Sequence, residues 1–306
     1  MSALSRAETL TVNAWLRQAQ ARGLSRQDAR HLLAHTAARP LAWLLMAGPE
    51  PLAQHLDAAA QAQLETHTRA LLDDVPLAHV LGHQPFLGLE LAVTPATLVP
   101  RDDTATLVQW ALDALQERVA QHTETAQGAQ PLRVLDLGTG SGAIILALAH
   151  TWAKRPVNHP VIWQASDRSA AALAVARDNA RQHGLAVDFF EGDWLDALPA
   201  ALRALGWDLI LSNPPYIAEH DPHLPALRHE PRSALVSGPD GLDDLRRIVA
   251  QATPALRPGG VLLLEHGWDQ VDAVGGLIAA AGLTPLPPRR DGGGQWRCSG
   301  GVKTPV

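Results

Sequence analysis

Between residues 132 and 281, short apolar runs alternate with longer stretches of helical periodicity, and this alternation restricts the fold more than any other feature of the chain. The runs at 132–135, 161–166, 187–190, 208–212 and 261–265 have the length and residue types of buried strands. Between or after them, residues 142–149, 169–183, 242–256 and 269–281 carry helical patterns. Strands separated by helices cannot form hairpins; they require crossovers, which place a parallel sheet between helices on both faces. Two further runs, near Leu283 and at 295–302, are expected to add an antiparallel edge. The fold class is therefore α/β.

The first 75 residues read differently. Val12, Trp15, Leu16 and Ala19 follow helical spacing up to Gly23, and Ser25 caps a second pattern through Ala29, Leu32, Leu33, Thr36 and Ala37. Pro40 closes that pattern, a short apolar piece follows at 41–47, and a further helix is predicted from Leu52 to Leu72. We assign residues 1–75 to a small helical bundle. Residues 76–105, punctuated by Gly82, Pro85, Gly88, Pro95 and Pro100, read as a β-hairpin linker. Residues 106–306 form the third region, which a helix opening at Asp103-Thr104 enters and a surface loop at 121–130 interrupts.

Composition excludes several classes of function. No apolar run reaches the ~18–20 residues needed to span a bilayer, and the N-terminus lacks the apolar core of a signal peptide, so a cytoplasmic protein is expected. The net charge of −6, with seven arginines against seven acids in the first 75 residues, disfavours a nucleic-acid partner. One cysteine, Cys298, permits neither an intrachain disulfide nor a thiolate zinc cluster, and reads as an inert thiol. His31 and His35 have i, i+4 spacing but no third ligand, so no metal is expected.

The chemistry lies at two strand ends. Asp136-Leu137-Gly138-Thr139-Gly140-Ser141-Gly142 joins the first predicted strand to its helix. Glycines at 138 and 140 let a ligand approach the backbone, and Gly142 allows close strand–helix packing. Asp167, at the end of the next strand, suits a ribose diol. No Gly-Lys-Ser/Thr follows, which excludes a Walker loop, and Asp136 ahead of the glycines suits the amino group of a methionine moiety. The second end is Asn213-Pro214-Pro215-Tyr216, after the apolar run 209–211. Each proline fixes its own φ and pushes the preceding residue out of the helical region. The stiff segment offers the Asn213 side chain and the Pro214 carbonyl as adjacent acceptors for an NH2 group, with Tyr216 to cover a planar amide or base. Glycine loop, Asp167 and Asn-Pro-Pro-Tyr occur in the order of a methyltransferase using S-adenosylmethionine. Gly192-Asp193-Trp194, after the third strand, is placed to flank the adenine.

With these motifs the chain resembles the bacterial release-factor glutamine methyltransferases along nearly its whole length. The resemblance rests on residues 82–88, 98–104 and 136–142, Ser166-Asp167, residues 192–194 and 213–216, Asp221-Pro222-His223-Leu224, and residues 262–268. It implies a class I, Rossmann-like, seven-stranded domain preceded by a helical bundle that docks the protein substrate and by the β-hairpin. It further implies that Gly138, Thr139, Gly140, Ser141, Gly142, Asp167, Trp194 and Asn213 hold S-adenosylmethionine. Asn213, Pro214, Pro215 and Tyr216 would hold the glutamine of the Gly-Gly-Gln tip of peptide chain release factors. A monomer is expected, acting through Asn213, Pro214 and Tyr216.

The chain departs from the family pattern at Asp102 and Ala105, where a proline and a glutamate are usual, and in its glycine-rich stretch at 292–294. The Gly-Gly-Gln at 293–295 is accounted for by a hairpin turn. The rival readings are a glutamine methyltransferase of a ribosomal protein, a DNA amino-methyltransferase, and a non-catalytic cofactor-binding adaptor.

Overall fold

The computed structural model describes residues 10–122, 130–156 and 159–304. Most of the loop predicted at 121–130 lies outside these residues. The chain divides into two compact units, Met1–Gly82 and His83–Val306.

The first unit is helical: α1 (Val12–Ala21), α2 (Arg26–Thr36), the short α3 (Leu44–Ala47), α4 (Ala58–Leu72) and α5 (Leu77–Leu81). Thr11, Ser25 and Asp57 cap α1, α2 and α4, each accepting a backbone N–H of the first turn. Val12, Leu16, Leu32, Leu33, Leu52 and Leu64 meet in its core. The helix predicted from Leu52 begins instead at Ala58, because Asp57 accepts the Ala60 N–H at 2.8 Å and Leu52–Gln54 closes as a 3-10 turn.

The second unit opens with a hairpin, β1 (His83–Phe86) and β2 (Leu89–Ala92), followed by α6 (Ala105–His122). Its sheet comprises β3 (Leu132–Leu137), β4 (Val161–Asp167), β5 (Asp188–Glu191), β6 (Trp207–Ser212), β7 (Leu256–Glu265), β8 (Thr284–Arg290) and β9 (Trp296–Val302). The order is β5-β4-β3-β6-β7-β9-β8, parallel through β7 and antiparallel at β9 and β8. The predicted α/β class, Rossmann-like seven-stranded sheet and antiparallel edge hold.

The crossovers are α7 (Ala143–Ala153), α8 (Ala170–Gln182), α9 (Ala200–Leu205), α10 (Asp243–Ala255) and α11 (Val271–Ala280). Every residue of β3 and β6 is buried, as central strands covered on both faces require. Leu132, Val134, Leu209, Leu211 and Leu263 pack with α6, α7 and the hairpin. Leu135, Leu137, Ile210, Leu262 and Leu264 point the other way, toward α10 and α11. The hairpin is fastened to this unit by Asn179 of α8, which accepts the Ala92 N–H at 2.8 Å and donates to the Ala92 carbonyl at 3.0 Å.

Besides the late start of α4, three elements differ from expectation. Helix α5 falls inside residues 76–105, which read as a β-hairpin linker, and its five residues are too few to display a period. Helix α9 was not anticipated; its six residues, between Pro199 and Gly206, are too few to display a period. Strand β7 begins at Leu256 rather than residue 261, running through Pro258-Gly259-Gly260 with an irregular register against β6.

Candidate active site

The sheet order reverses between β3 and β6, so the loops leaving these two neighbours diverge and open a crevice beyond their carboxyl ends. Leu137 pairs with Ser212, which brings the glycine loop and Asn213-Pro214-Pro215-Tyr216 side by side although about 70 residues separate them.

Gly138, Gly140 and Gly142 all have positive φ, at 73°, 57° and 84°. A side chain at Gly138 would sit 2.9 Å from the Trp194 ring, and one at Gly142 would strike Leu146 at the same distance. At Gly140 a Cβ would meet nothing within 4 Å, because this residue faces the cavity. Asp167 fixes the loop from β4: its Oδ2 accepts the Gly140 N–H and its Oδ1 the Ser169 N–H, both at 2.8 Å. A carboxylate has about four acceptor positions, so both oxygens remain able to receive a hydroxyl.

Two cavities meet here. The first is lined by Gly138, Thr139, Gly140, Ser141, Asp167, Trp194, Asn213 and Pro215, and is closed by Pro231, Ser233 and Ala234. The second is lined by Asp103, Pro214, Tyr216, Leu227 and Leu235. Leu98, Arg101, Asn213 and Ala234 belong to both. Asn213 is thus the one member of the Asn-Pro-Pro-Tyr segment that faces both spaces, while Pro215 faces only the first. Asp136 and Gly142 line neither and lie behind the loop. Arg101 forms an ion pair with the buried Glu230, which also accepts the Val99 N–H at 3.0 Å.

Asp136 is fully buried. Its Oδ2 accepts the Thr139 hydroxyl at 2.7 Å, while Oδ1 has no partner. Burial raises its pKa to about 7; the Thr139 hydrogen bond opposes this rise and the nearby Asp167 charge adds to it. Trp194 has φ 48° and is 8% exposed, with its Nε1 buried and unpartnered.

Sequence reasoning gave no role to two further groups. Glu265, the last residue of β7, is buried, and burial raises its pKa to about 7, against a lowering hydrogen bond from Thr104 and the positive charge of Arg297. The Tyr216 hydroxyl reaches Glu265 Oε1 at 3.5 Å, and burial together with the Glu265 charge pushes the phenol above its ordinary value. Thr104 Oγ1 accepts from Asn213 Nδ2 at 3.3 Å. The signal for Glu265 was an acid ending the apolar run 261–264, on the strand next to the one that carries Asn213.

Elsewhere, Cys298 is buried and its thiol is pushed up by burial. Among the described residues no group of three metal-ligating side chains occurs, and no helix is long and apolar enough to cross a membrane.

Residues 130–281 match a methyltransferase domain family. Over 281 residues the chain is 45% identical to the release factor glutamine methyltransferase of Bordetella pertussis, covering 91% of this chain and 95% of that protein. The enzyme of that name from Xylella fastidiosa strain Temecula1 is 46% identical over 88% of this chain and 90% of its own length. That from Escherichia coli K12 is 40% identical over 92% and 95%. The glycine loop, the Asn-Pro-Pro-Tyr segment and the hairpin all fall in a chain aligned with these enzymes almost end to end, and the chain belongs to the release factor glutamine methyltransferase family.

Proposed function

We propose that the protein transfers the methyl group of S-adenosylmethionine to the side-chain amide nitrogen, N5, of the glutamine in the Gly-Gly-Gln motif of peptide chain release factors. The observation that carries this reading is the position of Asn213, which lines both cavities.

The first cavity fits the cofactor on its own chemistry. Asp167 retains acceptor capacity for a ribose, and Asp136, directly behind the loop, keeps a buried carboxylate oxygen without a partner, which suits the ammonium end of the cofactor if the loop admits it. Open space at Gly140 admits a ligand against the backbone, and the unpartnered Trp194 Nε1 offers a donor. Asp136, the loop 138–142, Asp167, Trp194 and Asn213 are our assignment for holding it. When bound, S-adenosylmethionine supplies an electrophilic methyl group, so neither a metal nor a strong base is required of the protein.

The protein's part is to position a poor nucleophile, since the lone pair of a carboxamide nitrogen is delocalised into its carbonyl. Asn213 Oδ1 and the Pro214 carbonyl accept the two amide N–H groups and direct the nitrogen toward the first cavity. These hydrogen bonds strengthen as positive charge develops on nitrogen, which favours the transition state over bound substrate. Tyr216 packs on the amide plane, and Pro214 and Pro215 hold the acceptors rigid so that little ordering is left to the reaction. In this reading residues 1–75 dock the protein substrate, residues 76–105 link that bundle to the catalytic region 106–306, and the enzyme acts as a cytoplasmic monomer.

The test is methyl-labelled S-adenosylmethionine offered with a release factor, with the same factor carrying alanine for its Gly-Gly-Gln glutamine, and with duplex DNA. Label in the intact factor alone is expected. Label in DNA, or in both forms of the factor, contradicts the assignment.

A further inference from the structure

An asparagine amide has two faces of opposite character, and a site that needs its oxygen must prevent the NH2 from taking that place. At Asn213 the choice is governed by groups from two distant segments. Its Nδ2 points to Thr104 Oγ1 at 3.3 Å, and Thr104 stands beside Glu265, close enough for its hydroxyl to lower that carboxylate's pKa. Glu265 is buried and also receives the Tyr216 hydroxyl. Its Oε2 has no partner.

We infer that Glu265, acting through Thr104, is a positioning residue that orients the Asn213 side chain with Oδ1 toward the acceptor cavity. A carboxylate only accepts, so the Thr104 O–H donates to it. The lone pairs of Thr104 Oγ1 then face Asn213 and accept from Nδ2, which leaves Oδ1 for the incoming amide. Reversing any link reverses the last one: a hydroxyl free to donate to Asn213 would draw Oδ1 away and present an NH2 to another NH2. The same carboxylate takes the Tyr216 hydroxyl, so one buried group registers both side chains of the acceptor segment. The charged groups around it are Arg297 of β9, which pairs with Asp103 at 3.1 Å and Asp291 at 3.0 Å, and Asp103 itself.

This inference rests on the glutamine-methylation reading for its purpose, and its test therefore has a readout independent of turnover. The chain contains four asparagines, at 13, 158, 179 and 213, so selective 15N-asparagine labelling yields four side-chain NH2 pairs, of which N213A identifies one. In T104V the Asn213 pair is expected to shift and exchange faster with water, and in T104S to return to its original position. In turnover, T104V is expected to lower kcat about tenfold with the KM for S-adenosylmethionine within about twofold, and T104S to restore it. E265Q presents either an acceptor or a donor to Thr104 and should show a smaller loss. Because part of the Glu265 effect passes through Thr104 and part through Tyr216, the E265Q/T104V double variant should lose less than the product of the two single losses. An Asn213 NH2 pair unmoved by T104V would overturn the inference, as would multiplicative losses in the double variant. If the wild-type protein methylates no release factor, the NMR readout still decides the orientation, and the failure is that of the proposed substrate.

Discussion

The two ends of the sheet treat buried carboxylates in opposite ways. At the amino end, Asp208 of β6 is enclosed and fully partnered. It accepts the Arg133 N–H at 2.9 Å, Arg257 at 2.7 Å and Arg118 at 3.2 Å. At the carboxyl end, Asp136 and Glu265 are equally buried, yet each is left with an oxygen that has no partner, and neither has an arginine at hydrogen-bond distance among the contacts described. Three acids on three adjacent strands thus differ in whether the fold completes their hydrogen bonding. A buried charge that the fold leaves incomplete is costly unless something else completes it. The difference separates an acid whose hydrogen bonding the fold completes from two, at the end of the sheet that carries the candidate site, that it leaves incomplete.

The comparison predicts unequal responses to substitution. The largest effect on stability is expected at Asp208. D208A strands the Arg118 and Arg257 guanidinium groups and the Arg133 backbone N–H around a buried void, and should cost ~3–5 kcal/mol in urea unfolding. The cofactor affinity of the molecules that remain folded should stay within about twofold. A stability loss below ~1 kcal/mol would remove the contrast.

Next is the acceptor site. N213A should lower kcat by about 100-fold or more while circular dichroism and cofactor binding persist, because the acceptor at the junction of the two cavities is gone. Turnover close to wild type would refute its placement.

D136N keeps the shape and the Thr139 contact but removes the charge. Cofactor affinity, measured by calorimetry, should fall about tenfold or more, as expected for the loss of a charge-assisted hydrogen bond. Its stability should move the other way. The folded pKa near 7 lies above the unfolded value near 4, so the fold binds the proton more tightly and loses stability as pH rises from about 4 through 7. D136N escapes this loss and should exceed wild type by ~1–3 kcal/mol at pH 8, with the gap closing toward pH 4. A gap independent of pH would contradict the assignment.

The smallest effect concerns Glu265. With its pKa near 7, the carboxylate that orients Thr104 forms as pH rises, so kcat should increase through about pH 7. In T104V that portion of the profile should flatten. Glu265 faces Arg297, Asp103 and Tyr216, and raised salt should shift the midpoint little because the group is buried.

These contrasts mark what the sequence could convey. The glycine loop, Asp167 and Asn-Pro-Pro-Tyr were legible because each is a local pattern at the end of an apolar run, and the alternation of runs placed them on a parallel sheet. Thr104 and Glu265 were legible only as letters. They lie 109 residues before and 52 residues after Asn213, and the β6–β7 pairing, with the 3-10 turn at Asp102–Thr104, is what brings them to it. Asp208 was read as the start of a strand; nothing local announces Arg118, Arg133 and Arg257 around it. The same limit applies to β7: the apolar run starts at residue 261, and only the pairing of Leu256 with Trp207, across an irregular register, extends the strand back through Pro258-Gly259-Gly260. Chemistry carried by contiguous residues is readable along the chain, whereas the groups that orient it are assembled by tertiary pairing.

The most direct test of the central claim is tandem mass spectrometry of a release factor after incubation with S-adenosylmethionine and either the wild-type protein or N213A. The account predicts one added methyl group on the side-chain amide of the Gly-Gly-Gln glutamine with the wild type, and almost none with N213A. A methyl group on any other residue, or equal modification by both proteins, would contradict it.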